Sequence, residues 1–216
     1  MNFGMIVKEL SAGLVVSVEI FIVTLVVSLV LGLVVAFGRM SKFLPLRWLV
    51  RTYISIMRGT PLMLQLMVVY YGPYYLFGMQ ISTEYRLPAV LIGFAVNYAA
   101  YFAEIYRGGI ESISRGQYEA AKLLGYNKIQ TFFRIIFPQA IKRILPSITN
   151  EVITLVKDTS LAFVIAIPEM FTTAKQIAAS QVSMVPFVAA GIFYYIFNLI
   201  VAVMMELIEK KLEYYK

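Results

Sequence analysis

The sequence predicts an all-α integral membrane protein with five transmembrane helices. The composition, the number of long apolar stretches and the placement of the basic residues all point that way. The 216 residues are 60% hydrophobic and only 14% charged, with a mean hydropathy of +0.78. Soluble domains are roughly 45–50% apolar and about 25% charged. They need polar residues to cover their surface, and this chain has too few. The composition excludes a soluble globular protein, a disordered chain and a low-complexity scaffold.

Five stretches approach the length of about 20 apolar residues that a bilayer requires. They lie at about 13–38, 61–77, 87–106, 145–167 and 186–208, within a single domain of residues 1–216. In the first, Ser28, Gly32 and Ala36 share a face, as Ala89 and Gly93 do in the third, where Asn97 and Tyr101 continue the stripe. Small residues let helices approach closely in lipid, either within one subunit or at a subunit interface. The second stretch is short, and residues 46–57 run into it. Arg47, Arg51 and Arg58 fall there at spacings of 4 and 7. That pattern predicts an interfacial helix with its basic face toward water or headgroups.

Basic residues set the orientation. Arg39, Lys42, Arg47, Arg51 and Arg58 occupy the first loop, and seven more, from Arg107 to Arg143, occupy the third. Lys210, Lys211 and Lys216 occupy the tail, whereas the intervening segments hold only Lys8, Arg86 and Lys175. The positive-inside rule then puts the N-terminus outside and the C-terminus in the cytoplasm. The formal charge of +7 thus reflects topology, and no nucleic-acid partner is expected. Lys8 alone precedes the first apolar run and Glu9 offsets it. That run is too long for a signal-peptide core, so no cleavable signal is expected.

The chain has no cysteine and no histidine, which excludes disulfides, thiolate nucleophiles and His-based zinc or base chemistry. No metal site is expected. No Gly-Lys dipeptide occurs, so a phosphate-cradling P-loop is absent, and ATP hydrolysis would fall to a partner.

The third loop, about 108–144, carries Glu119-Ala120-Ala121, three residues, Gly125, nine residues, then Ile135-Ile-Phe-Pro138. Paired alanines give a helix a low surface, and a glycine can end it. That shape suits a partner's groove. The spacing resembles the coupling-loop signature of permease subunits of ABC importers, with Phe137 in place of leucine. Arg58-Gly-Thr-Pro61, Ala103-Glu-Ile-Tyr-Arg-Gly-Gly-Ile110, Gly116-Gln117 and Lys157-Asp-Thr-Ser-Leu161 are similar to the polar amino acid uptake branch. The resemblance implies a type I ABC importer permease fold with a cytoplasmic coupling helix, in a bacterial plasma membrane. It implies a dimer of identical chains, two ATPase subunits that bind ATP and Mg, and an extracytoplasmic solute-binding protein. Glu119, Ala120, Ala121 and Gly125 would couple to the ATPase, and this chain would catalyse nothing.

Ionisable groups at membrane depth are costly and become functional candidates. Here they are Glu19, Glu104, Glu151, Lys157 and Asp158. Asn97, Tyr101 and Glu104 share one helical face, and Glu151 and Asp158 another. The two faces could converge on one cavity. The acids would receive a ligand ammonium, while Lys157, Tyr101, Asn97 or a helix N-terminus would receive its carboxylate. Lys157 could instead form an internal ion pair. Thr60-Pro61 reads as an N-cap and first turn, either a ligand site or simply the start of a span. Three acids against one lysine favour a basic amino acid, namely arginine, lysine or histidine, with glutamine or another polar amino acid as the alternative. An ion-coupled secondary transporter and a membrane enzyme rank below an importer permease.

Overall fold

A computed structural model describes residues 3–212, which are helical almost throughout and form no strand among the described residues. The first helix, α1 (Phe3–Arg39), begins ten residues before the expected span. Its buried positions, Gly13, Ser17, Ile20, Thr24, Ser28, Gly32 and Ala36, recur every three or four residues. Val15, Val26, Val30 and Val34 stand exposed on other sides. The small face packs on α4 (Arg86–Glu111). A Cβ added at Gly32 would lie 2.8 Å from Phe102 Cβ and 3.2 Å from Ala99 O. The small-residue stripe of α1 therefore serves packing within one subunit.

Between them lie α2 (Leu44–Gly59), with only Ile54 buried, and α3 (Leu62–Phe77). The Tyr53 hydroxyl of α2 donates to Val96 O of α4. Gly93 of α4 receives Leu66 of α3, whose Cδ2 would be 2.7 Å from an added Cβ. Gly78, at φ +67°, ends α3 by donating to Tyr74 O at 2.9 Å. The expected N-cap at Thr60 is not formed. Pro61 takes that position with no side-chain cap. The Thr60 hydroxyl turns back to Ile56 O at 2.8 Å, closing α2.

After α4 come α5 (Arg115–Leu123), α6 (Lys128–Thr131), a π turn (Phe132–Ile136) and α7 (Phe137–Asp158). The loop expected over 108–144 is mostly helical. The fourth expected span, 145–167, is divided. Its α-helix ends at Asp158 and a 3-10 turn (Thr159–Ile165) completes it. An unexpected helix, α8 (Met170–Gln181), precedes α9 (Val185–Leu212). Among the described residues, α1, residues 83–111 and α9 are long and apolar enough to cross a membrane, and α3 is a shorter apolar helix.

Glu169 anchors α8 and is fully buried. Its carboxylate accepts from Phe171 N and Thr172 N, both at 2.6 Å, and from the hydroxyls of Thr172 at 2.8 Å and Tyr194 at 3.1 Å. Met170 N donates to Ser17 Oγ at 3.3 Å. A buried carboxylate is tolerable when its oxygens are bonded in this way, and these bonds tie α8 to α1 and α9.

The same substitution should act oppositely at two helical glycines. Gly191 has open space around it, so Gly191→Ala should raise stability by about 0.5–1 kcal/mol. Gly32→Ala should lower it by about 1–3 kcal/mol. Thermal unfolding of the detergent-solubilised protein reads both.

Candidate functional site

The residues singled out from the sequence fall into two groups in space. One surrounds α4 and α7, and the other is the α5 turn.

On α4, Asn97 is buried, and its amide donates to Met57 O at 3.1 Å and Gln65 Oε1 at 2.9 Å. Both amide hydrogens are then committed, tying α4 to α2 and α3. Gln65 in turn donates to Met57 O, Thr60 O and Thr60 Oγ at 3.0, 3.1 and 2.7 Å. A cavity of about 340 Å³ beside Thr60 and Gln65 is otherwise apolar, lined by Ile56, Leu64 and Val68. None of the acids lines it.

Glu104 is claimed by cations. The Arg107 guanidinium donates to it at 2.6–3.2 Å, and Arg39 Nε lies 3.5 Å away. Arg107 also reaches Glu111 at 2.6 Å. Glu104 therefore joins the ends of α1 and α4 and does not stand open as a ligand acceptor.

The remaining acids gather around a residue the sequence analysis missed. The Tyr98 hydroxyl donates to Asp158 Oδ2 at 2.7 Å. Its ring lies 6.1 Å from that of Tyr101, and Glu151 is within electrostatic reach of it. Arg58 caps the group, with its guanidinium 5.3 Å from the Tyr101 ring centroid, within cation–π range, and within electrostatic reach of Glu151. Glu151 is partly buried and makes no hydrogen bond or ion pair among the described residues. Lys157 is exposed, near Asp158 but not in ion-pair contact, so the internal pair is not formed. Glu19 is exposed on α1. Tyr98 carried one available signal: Phe94, Tyr98 and Phe102 recur every four residues. Arg58 was grouped with a headgroup-facing surface because its helix is amphipathic, whereas α4 stands over that end of α2.

The α5 turn is compact. Tyr126 N donates to Ala121 O at 3.0 Å and Gly125 N to Lys122 O at 3.1 Å, with Gly125 at φ +80°. This is a Schellman ending, which requires the left-handed residue that glycine supplies. Ala121 is buried, Glu119 and Ala120 are exposed, and Leu123 and Leu124 stand 90% and 74% exposed. Two bare leucines on a polar nine-residue helix form an apolar knob suited to a groove.

Known proteins are similar to this chain in sequence and fold. A family model described as the binding-protein-dependent transport system inner membrane component matches residues 28–214. The L-cystine transport system permease protein of Bacillus subtilis is 36% identical over 208 residues, covering 95% of this chain and 87% of the relative. The arginine transport system permease protein of the same bacterium is 38% identical over 202 residues, 93% of this chain and 91% of the relative. The crystal structure of an amino acid ABC transporter with histidines superposes with a TM-score of 0.86 at 31% identity, over 98% of this chain and 99% of that one. With its helical architecture and α5 turn, the chain belongs to the binding-protein-dependent transport system inner membrane component family, as a permease subunit of an amino acid ABC transporter.

Proposed function

We propose that this permease forms the pathway for basic amino acids, with arginine, lysine and histidine as its substrates. The observation that carries the proposal is Glu151, a partly buried carboxylate without a hydrogen bond or ion pair among the described residues, facing Arg58 and Asp158. Arg58 is suited to a ligand carboxylate, and Glu151 and Asp158 to its ammonium and cationic side chain. Tyr98 and Tyr101 orient these groups, and Thr60 and Asn97 support them by holding α2, α3 and α4 together. The names of the arginine relative and of the histidine-containing structure agree with this class. A polar substrate such as glutamine or cystine is the second reading. Arg58 favours it by offsetting one acid, and one relative is named for cystine.

The working unit is a dimer of this chain in a bacterial plasma membrane, with its N-terminus outside. Two ATPase subunits sit against α5, and an extracytoplasmic binding protein delivers substrate. ATP and Mg are held by the ATPases. Closure of the ATPase pair moves α5 by its leucine knob, and the spans rock to expose the pathway outward. Transport without an ATPase in proteoliposomes would instead indicate ion coupling.

Two measurements test this. Glu151→Gln should cut the preference of the reconstituted transporter for arginine over glutamine about tenfold. An unchanged preference removes Glu151 from the site. Leu123→Asp should reduce copurifying ATPase about tenfold or more while leaving the melting temperature unaltered, since the side chain is 90% exposed. Full association in that variant would place the docking elsewhere.

A further inference from the structure

We propose that a cavity at the junction of α1, α2, α4 and α5 binds the phosphodiester headgroup of an anionic phospholipid. The cavity holds about 470 Å³ and is lined by Arg39 from the end of α1, Arg47 from α2 and Arg115 from the start of α5. Met40, Ile110 and Ile113 give it an apolar wall, and Tyr118 contributes beside them.

Charge accounting separates this cavity from an ordinary basic boundary. A membrane protein needs Lys and Arg on one side for topology, but it does not need three arginines from three elements in one concavity. Arg39 has a counter-charge in Glu104 at 3.5 Å. Glu111, the one carboxylate lining the cavity, is held by Arg107 at 2.6 Å. The side chains of Arg47 and Arg115 make no hydrogen bond, ion pair or ring contact among the described residues. Two guanidinium groups without side-chain partners thus line one partly apolar pocket, where an anion would relieve their repulsion. Arginine forks match phosphate oxygens.

The surroundings select a lipid over a soluble anion. Leu44, Trp48 and Leu49 flank Arg47 on α2 and are 64%, 69% and 62% exposed. Phe43, just before the helix, is 65% exposed. Together they offer acyl chains an apolar surface beside the arginines, as an interfacial amphipathic helix does. A headgroup held by Arg47 and Arg115 would bridge α2 to the α5 turn.

Trp48 is the only tryptophan in the chain and lies next to Arg47, so it reports occupancy directly. The full chain in detergent micelles is titrated with brominated phosphatidylglycerol or brominated phosphatidylcholine, and Trp48 fluorescence is followed. Half-quenching is expected at about tenfold lower mole fraction of phosphatidylglycerol. The double change Arg47→Gln with Arg115→Gln should bring the two lipids together. Arg51→Gln removes a charge from the same helix outside the cavity, and should keep the preference. Equal quenching by both lipids in the unaltered chain overturns the proposal. Loss of the preference in Arg51→Gln would mean a diffuse basic surface and also overturns it. Competition by millimolar inorganic phosphate would identify a soluble anion as the occupant. Loss of the preference on adding the ATPase subunit would identify a protein carboxylate. Either result overturns the lipid assignment.

Discussion

The close approach of α1 to α4 governs where every other helix can sit. In lipid, helices gain nothing from hiding apolar surface from one another, so their association depends on packing. Ser28, Gly32 and Ala36 let the α1 backbone come against Ala99, Phe102 and Ala103. The same device recurs around the molecule. Gly93 admits Leu66 of α3, Gly109 admits Ile144 of α7, and Gly13 of α1 admits the backbone of Met170. Helix α4 is thereby enclosed, and Asn97, Tyr98 and Tyr101 acquire fixed neighbours.

Legibility in the sequence followed the range of the forces involved. The stretches 13–38, 87–106 and 186–208 each fall in one long helix, because lipid selects apolar length directly. The end of α5 at Gly125 was legible because a left-handed residue is a local requirement. Helix α8 was not. It has twelve residues, with Lys175 and several hydroxyls, and is stabilised by Glu169 and by packing on α1 and α9. Thr60 misled for a related reason: Thr-Pro is a fair N-cap signal, but Ile56 O and Gln65 Nε2 claim the hydroxyl.

The site was half legible for the same reason. That Glu151 and Asp158 share a helix face follows from spacing. That Tyr98 binds Asp158 sixty residues away does not. Glu104 illustrates the limit well. Arg107, three residues on, was visible as a partner, whereas Arg39 comes from another helix. Counting charges along the sequence overstated the negative character of this region, because arginines arriving from distant segments neutralise or face the acids.

Helix continuity from Lys128 to Asp158 gives the molecule a lever. The π turn at Phe132–Ile136 alters its pitch without interrupting it. At about 1.5 Å per residue, Glu151 lies roughly 34 Å along this rod from Lys128. Each degree of tilt about the near end displaces the carboxylate by roughly 0.6 Å. A tilt of about ten degrees would thus carry the Glu151 carboxylate by about 6 Å.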